Sequence, residues 1–174
     1  MLLGIIIVIV IIIFIQYNLL IRLKINVQRS KSVIDVYLKQ RFDLIPNLIK
    51  IVKEYTDHEQ VVLEKIIKLR NKYNKNEDFN ISQQLNEQID KVFILAEKYP
   101  NLKADTQFLN LQKSLIKIES QLQAARRLYN NDVTKYNTAI SIFPLNIIAK
   151  IFRFKEEQLF SITESEKDNI SVTL

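Results

Sequence analysis

The chain has a single histidine, and the residues around it show whether the protein could hold a metal ion. His58-Glu59 begins like the H-E-x-x-H pattern of zinc proteases, in which two histidines one helical turn apart bind the metal. Here Val62 stands at the second histidine position, so no pair of ligands shares a helix face. Glu54 precedes His58 by four residues, so the Glu-x-x-His pattern of di-iron bundles is also missing. We therefore expect no metal site.

Other common catalytic chemistries each lack a residue type that they need. There is no cysteine, which excludes disulfides and thiolate metal sites. The only glycine is Gly4, whereas phosphate-binding loops and strand-to-helix nucleophile turns depend on several glycines. No serine lies in such a turn, and no pair of carboxylates has neighbours that suggest a low-dielectric site. We expect no catalytic residue and no cofactor, so the sequence does not read as an enzyme.

Glu59 is the residue whose position suggests a specific interaction. Its spacing places it on one helix face with Val62 and Ile66. A carboxylate on an apolar face needs a partner. Arg126 and Arg127, on the longest amphipathic segment, are the candidates. We expect a structural ion pair between Glu59 and one of these arginines rather than a functional site.

The element that positions the rest of the chain is an apolar run at its beginning. Residues 1–15 are uninterrupted apolar sequence, and Leu19-Leu20-Ile21 extends the run. A helix over residues 2–21 would be about 30 Å long, which is the thickness of the hydrocarbon core of a bilayer. The alternative is a cleaved signal peptide, but no Lys or Arg precedes the run and no small-residue cleavage site follows it. We expect a transmembrane anchor over residues 1–21.

The charge distribution predicts the orientation of this anchor. The net charge is +6, and Arg22, Lys24, Arg29 and Lys31 follow directly after the apolar run. Positive flanks stay on the cytoplasmic side, so we expect a single-pass protein of the cell membrane whose C-terminal domain is cytoplasmic. A basic balance also suits nucleic acid or anionic lipid. The tyrosines lie on apolar helix faces rather than among exposed basic residues, so we expect no nucleic-acid partner.

Three prolines and one polar stretch divide the remaining sequence into segments. Pro46, Pro100 and Pro144 each disfavour helix in the preceding residue, and residues 74–80 (NKNEDFN) have the composition of a linker. The segments between them carry apolar residues at alternating spacings of three and four, which is typical of amphipathic helices. Asp43 is expected to cap the second helix, with Pro46 tolerated in its first turn.

The fourth segment has the clearest helical pattern. Asp105 is expected to cap it, and the apolar spacing continues for about nine turns. The expected core positions are Phe108, Leu111, Leu115, Ile118, Leu122, Ala125, Tyr129, Val133, Tyr136 and Ile140. The predicted fold class is therefore all-α, an N-terminal transmembrane helix followed by an antiparallel up-and-down four-helix bundle of long coiled-coil-like helices. The alternative is a first helix that runs through Pro46 to Tyr73, which would leave a three-helix coiled coil.

These elements predict three domains. They are an anchor over residues 1–21, a helical bundle over 22–143, and a short amphipathic helix with a C-terminal tail over 144–174. Large apolar and basic residues alternate after Pro144, as in helices that lie at a bilayer surface. The residues expected at the membrane surface are Lys150, Ile151, Phe152 and Arg153. The alternative is that the apolar residues of this segment fold back to close the end of the bundle.

Several strings taken together resemble the bacterial LemA family. RFDLIPNLI (residues 41–49), YTDHE (55–59) and EKYPNLKA (97–104) match its R-x-D-L-I-P-N-L-V, Y-x-x-H-E and E-x-Y-P-[DN]-L-K-A. ARRLYN (residues 125–130), Tyr136-Asn137 and Phe143-Pro144 match its A-R-R-x-Y-N, Y-N and F-P. The strings occur in order, at family spacing, from about residue 17 to residue 160. The resemblance is therefore specific.

The resemblance implies a membrane helix and an up-and-down bundle in the bacterial inner membrane, and it implies no reaction. One departure concerns the short C-terminal helix. The family commonly carries Gly-Phe near it, whereas this chain has Arg153-Phe154. We therefore expect any backbone geometry that requires glycine to differ at this point.

Two functions from different classes fit these expectations. The first is a membrane-anchored scaffold or adaptor whose bundle docks another membrane or envelope protein. The second is a module that binds or organises anionic lipid through its basic residues. Salt distinguishes them, because lipid binding by surface charge weakens steeply as ionic strength rises, and a hydrophobic protein interface does not. The sequence leaves the identity of the partner and the oligomeric state open.

Overall fold

Six helices account for most of the residues that the computed structural model describes, which are 2–55, 60–76 and 79–160. The helices are α1 (Leu2–Tyr55), α2 (Gln60–Asn76), α3 (Phe79–Ala96), α4 (Pro100–Ala104), α5 (Thr106–Ser141) and α6 (Leu145–Ile151). These residues contain no strand, as expected from a chain with one glycine. The all-α prediction is confirmed, and the up-and-down arrangement of four helices stays a prediction.

The first helix corrects the boundary that the prolines suggested. α1 continues through Pro46, so the expected cap at Asp43 is wrong. A proline inside a helix costs about 3 kcal/mol because it removes one hydrogen bond and crowds the preceding turn. Burial of apolar side chains on both sides, at about 1.5–3 kcal/mol each, outweighs that cost. The buried residues that continue across this point are Leu38, Phe42, Ile45, Leu48 and Val52. The alternative of a helix through Pro46 to Tyr73 is right about the proline, and its continuation beyond Tyr55 falls on residues 56–59, which lie outside the described residues.

The chain divides into two compact units. The terminal unit contains residues 1–34 and 123–174, and the central unit contains residues 35–122. This division follows packing, so α1 and α5 each contribute to both units. The predicted division into an anchor, a bundle and a C-terminal segment follows the membrane instead, and it stays a prediction.

The central unit is built around buried apolar residues of five helices, α1 to α5. α2 and α3 pack against each other, and α4 packs against α3. On α3 the buried residues include Leu85, Ile89, Val92 and Ala96. The backbone N–H of Phe108 donates to Asp105 Oδ1 at 2.8 Å, which confirms Asp105 as the cap of α5. The expected stripe of α5 is also confirmed, except that Ile118 and Ile140 are only half-buried.

The terminal unit has its own apolar cluster. Leu20 of α1, Ala139 of α5, and Ile148 and Ala149 of α6 form its buried centre. The half-buried residues packed around it are Tyr17, Leu23, Ile140, Leu145 and Phe154. α6 is therefore held against both long helices by the residues on one of its faces.

The end of α6 corrects the expectation about glycine. Phe154 N–H donates to Ala149 O at 2.9 Å, and Arg153 N–H donates to Lys150 O at 3.4 Å. This is the paired pattern of a Schellman motif, whose residue after the cap is usually a left-handed glycine. Arg153 occupies that position with a φ of 56°. The geometry is kept without glycine, at a strain of roughly 1–2 kcal/mol.

Candidate functional site

The apolar run of α1 is a candidate membrane anchor. Every side chain from Leu2 to Ile15 is exposed. Among the described residues, α1 is the helix that is long and apolar enough to cross a bilayer. A row of exposed Ile, Val and Phe side chains on all faces of a helix is unstable in water. The sequence prediction of an apolar N-terminal helix is confirmed to this extent.

The residues predicted to lie at the membrane surface are all exposed. Lys150, Ile151, Phe152 and Arg153 stand away from the buried centre of the terminal unit, and the side chain of Ile151 is 64% exposed. The ring of Phe152 packs on Tyr17 with centroids 4.6 Å apart. Tyr17 follows the exposed apolar run of α1 by two residues. Phe152 therefore lies beside the end of the candidate span.

The opposite face of α6 packs against the helices, as the fold-back alternative predicted. Ile148 and Ala149 are buried against Leu20. Ile147 stays half exposed, and Phe143, just before α6, is 77% exposed. α6 thus uses one face for packing and presents a second apolar face outward. Contact of that second face with lipid stays a prediction.

The most organised polar site in the terminal unit is a set of four α5 side chains, which we call the ladder. It consists of Tyr129-Asn130 and Tyr136-Asn137, two identical pairs seven residues apart. Both tyrosines are buried in the core face of α5, as the sequence predicted. Each pair points its polar atoms at the backbone of residues 155–160, which we call the strap.

The asparagines bind the strap through both of their amide atoms. Asn137 Nδ2 donates to Glu157 O at 2.8 Å, and Glu157 N–H donates to Asn137 Oδ1 at 3.0 Å. Asn130 repeats the arrangement with Phe160, at 3.0 Å and 2.9 Å. Each amide therefore pairs with the backbone of one residue as a neighbouring β-strand would.

The tyrosines bind two further backbone carbonyls of the strap. Tyr136 donates its hydroxyl to Lys155 O at 2.9 Å, and Tyr129 donates to Gln158 O at 3.0 Å. Burial raises the pKa of both phenols, and the Glu157 carboxylate raises it further. Both hydroxyls therefore stay protonated at physiological pH, as donation to a carbonyl requires.

The two halves of the ladder match the strap in length. Seven helical residues span about 10.5 Å, and three residues of nearly extended chain span about 10 Å. The partners of Tyr129 and Asn130 are each three residues beyond the partners of Tyr136 and Asn137. One heptad of α5 therefore holds three residues of strap, and the strap runs antiparallel to the helix.

The strap is held close to energetic balance. Six hydrogen bonds contribute about 1 kcal/mol each, and the ring of Phe160 adds about 1 kcal/mol where it packs on Tyr129 at 4.7 Å. Ordering six residues costs roughly 1–2 kcal/mol each. The side chains of Lys155, Glu156, Gln158 and Leu159 are exposed and add little apolar burial. The hydrogen bonds of the strap and the cost of ordering it are therefore of similar size.

The sequence does not predict this site, although it contains a signal for it. Spacing assigns both tyrosines to the core, which is correct, but their hydroxyls bind residues 19 and 29 positions further along the chain. A buried tyrosine hydroxyl needs a hydrogen-bond partner. The repeat of Tyr-Asn at exactly one heptad is the pattern that could have indicated two equivalent polar contacts.

The predicted ion pair of Glu59 with Arg126 or Arg127 cannot be placed, because Glu59 lies outside the described residues. It stays a prediction. The central unit contains a different ion pair, between Arg41 Nη1 of α1 and Glu119 Oε2 of α5. Their side chains are 5% and 26% exposed.

A second carboxylate lies near this pair. Partial removal from water raises the pKa of Asp90 on α3, and the charge of Arg41 opposes that rise. Arg41 follows Leu38 by three residues and precedes Ile45 by four, so its place among apolar residues at helical spacing was the available signal. The cluster joins three helices of the central unit electrostatically.

Where α1 and α5 meet in the central unit, a polar groove of about 450 Å³ lies open to solvent. The residues that line it are Asn47, Lys50, Ile51, Gln107, Asn110, Leu111 and Ser114. At the end of α1, the Tyr55 hydroxyl donates to Asp105 Oδ2 at 2.9 Å. The hydrogen bond from the Phe108 N–H lowers the pKa of Asp105 most, and the bond from the Tyr55 hydroxyl lowers it further. Amide side chains give the groove hydrogen-bonding capacity and little charge.

No three carboxylate or imidazole side chains converge within residues 2–55, 60–76 and 79–160 in a way that could hold a metal ion. His58 lies outside these ranges, so its predicted lack of a metal role stays a prediction.

The comparisons with known proteins agree with the resemblance seen in the motifs. The model of the LemA family matches residues 30–174. The chain is 26% identical over 161 residues to Protein LemA of Metamycoplasma hominis. The aligned region covers 90% of this chain and 74% of that protein. The family match takes in the ladder, the strap and every helix of the central unit. By this match the chain belongs to the LemA family.

Proposed function

We propose that this protein is a single-pass, membrane-anchored scaffold or adaptor that docks another membrane or envelope protein. The observation that carries the proposal is the composition of α1. Its exposed apolar residues 2–15 are suited to lipid, and its residues 35–55 help to build the central unit. One helix thus serves both as the tether and as part of the domain. The proposal assigns no catalytic residue and no cofactor.

The charges after the apolar run support a cytoplasmic domain. Arg22, Arg29 and Lys31 are exposed, and the ammonium of Lys24 lies 5.9 Å from the centre of the Phe154 ring. Positive residues next to a span are retained on the cytoplasmic side. In this orientation the adaptor works at the inner face of the bacterial cell membrane.

Carbonate extraction tests the anchor. The full chain should stay in the membrane pellet at alkaline pH and keep residues 1–21. A variant with Ile9→Lys and Ile12→Lys should move to the soluble fraction, since a lysine at the centre of a span costs about 3 kcal/mol. Soluble wild-type protein, or a mature chain that starts after residue 21, would contradict the proposal.

Thiol labelling tests the orientation. The chain has no cysteine, so Lys135→Cys on the exposed side of α5 would be its only thiol. We expect an impermeant maleimide to label it in inverted membrane vesicles and not in intact cells. Labelling in intact cells would place the domain outside.

A second candidate function is binding to anionic lipid at the membrane surface. The specific observation in its favour is the outward apolar face of α6, with Lys150 and Arg153 beside Ile151 and Phe152. Apolar side chains next to basic ones are the composition of an interfacial helix. This seating, in which the outward face of α6 contacts the bilayer surface, is also compatible with the scaffold function, because it would fix the terminal unit against the bilayer.

Tryptophan fluorescence tests this seating. The chain has no tryptophan, so Phe152→Trp would be a unique probe. In bilayers with anionic lipid we expect a blue-shifted emission that brominated lipid quenches. Leu128→Trp, exposed on α5 in the same unit, is the control and should not be quenched. Emission typical of water from Phe152→Trp would rule out contact with lipid.

A further inference from the structure

We propose that the ladder is a binding site for an extended polypeptide segment of a partner protein, and that the strap is its occupant within the chain. The proposal rests on the adaptor function and adds the kind of partner segment that the adaptor would take. The ligand is defined by backbone geometry and by one aromatic side chain.

The hydrogen bonds of the ladder are directed at the backbone. Asn130 and Asn137 each bind the N–H and the carbonyl of a single residue, and both tyrosines bind carbonyls. Every amino acid except proline offers these groups. The ladder therefore accepts many sequences, provided that the chain is extended and antiparallel to α5.

The exposure of the strap side chains shows at which positions the site would select a particular residue type. Those of Lys155, Glu156, Gln158 and Leu159 are exposed. Phe160 is half-buried, and its ring packs on Tyr129. A fitting partner segment therefore has an aromatic residue at the Phe160 position and no proline there or at the Glu157 position. The four exposed positions are free to vary.

The occupied state does not prevent exchange. The hydrogen bonds of the strap and the cost of ordering it nearly cancel, so the ladder opens while the helices stay folded. A partner segment then competes with the strap, and the strap acts as a tethered competitor that weakens the apparent affinity. An adaptor that protects its docking site in this way exposes fewer unpaired polar groups when it is alone.

Peptide binding to an opened ladder is the first test. In the full chain, Glu157→Pro with Phe160→Pro removes both N–H donors and the ring, and so disables the strap. A labelled peptide of residues 154–160 (FKEEQLF) should bind this variant in nanodiscs, measured by fluorescence anisotropy. N-methylation of the peptide at the Glu157 and Phe160 positions should weaken binding at least tenfold. Methylation at the Glu156 and Leu159 positions is the matched control and should change it less than twofold.

Variants of the ladder provide the second set of controls. Asn130→Leu with Asn137→Leu in the opened chain should abolish binding, whereas Asn131→Leu, an exposed asparagine on the same helix, should not. Replacing Phe160 of the peptide by alanine should weaken binding several-fold, and tyrosine at that position should preserve it. Equal binding of all these peptides would overturn the proposal, because the contact would not be the ladder.

Photo-crosslinking to the unmodified chain keeps the proposal testable if the proline variant fails to fold. A peptide with benzophenone in place of Phe160 should label α5 near Tyr129, and the double leucine variant should lose the label. If two full-length copies crosslink between the same positions, the site is used in trans and its partner is a second copy. A folded chain that neither binds nor crosslinks the peptide shows that the ladder serves only its own strap. That result leaves the carbonate and thiol tests of the anchor unaffected.

Discussion

The core of the central unit and the strap of the terminal unit are held in place by different physical means. In the central unit, side chains such as Leu115 and Ile66 are removed from water, and Arg41 is paired inside the core. In the terminal unit, Asn130 and Asn137 hold a strap whose own side chains largely remain in water. Burial depends on shape and identity at each position, whereas backbone hydrogen bonds tolerate almost any sequence. From this comparison we expect the central unit to provide most of the stability and the strap contact to be the part that exchanges.

The largest expected effect is a cavity in the central unit. Leu115→Ala should lower the free energy of unfolding by about 2–5 kcal/mol, because Leu115 is only 1% exposed. Its neighbour Ile116 is 58% exposed, so Ile116→Ala should change stability by less than about 0.5 kcal/mol. Denaturant unfolding compares the two. Similar losses would mean that the burial pattern of α5 is wrong.

The next effect concerns the buried ion pair. Arg41→Met leaves Glu119 without its partner and should cost about 2–3 kcal/mol. Glu119 keeps some contact with water, so the loss stays below that of a fully buried pair. Arg41→Met with Glu119→Leu should recover most of the stability, because apolar residues can replace both charges. A double variant less stable than the single one would show that the pair has another role, for example toward Asp90.

The cap of α5 should give a smaller effect that depends on pH. The pKa of Asp105 is lowered in the folded state, so its contribution is present above the unfolded pKa of about 3.9. The contribution is lost as the pH falls through the lower folded value. Asp105→Asn should therefore reduce Tm by roughly 2–4 °C at pH 7. Below the folded pKa the two proteins should melt alike, and a difference that persists once Asp105 is protonated would contradict the assignment.

Loss of one asparagine of the ladder should hardly affect the global stability of the protein. Asn137→Leu removes two hydrogen bonds to Glu157, yet it should change the free energy of unfolding by less than about 1 kcal/mol, because the strap opens before the helices. Hydrogen exchange at the Glu157 amide should accelerate, and Asn131→Leu should leave it unchanged. A global loss comparable to that of Leu115→Ala would remove the distinction between the central core and the strap.

The smallest expected effect is a gain in the free energy of unfolding. Arg153 holds a left-handed conformation at the end of α6, and glycine there would relieve the strain. Because glycine also makes the unfolded chain more flexible, the net gain for Arg153→Gly should be about 0.5–1 kcal/mol. Thermal unfolding measures it. Lys150→Gly, inside α6, is the control and should be destabilising by about 1 kcal/mol.

Features that depend on local sequence could be predicted, and features that depend on distant partners could not. The stripe of α5 and the cap at Asp105 follow from spacing and from one side chain, and both are observed. The break expected before Pro46 is absent because burial on both sides of it outweighs a local penalty. The geometry at Arg153 persists because the hydrogen bonds of the motif and the packing of Phe154 hold it in place.

The candidate site shows the same limit more clearly. Tyr129 and Tyr136 were correctly placed in the core, but the use of their hydroxyls depends on a strap that carries no periodic signal of its own. The strap has neither helical nor strand spacing, and its partners are 19 to 30 residues away. The repeated Tyr-Asn pair is the sequence feature from which this contact could have been predicted.

The correspondence of seven helical residues to three strap residues restricts how this end of the chain can change length in evolution. If a single residue were inserted between Glu157 and Phe160, the strap could keep its pairing with Asn137 or with Asn130 but not with both. No shift of the strap along α5 would restore the two pairings together. Length changes that preserve pairing would come in coupled steps, a heptad in the helix with a tripeptide in the strap. Among LemA sequences, insertions and deletions in these two segments are therefore expected to occur together.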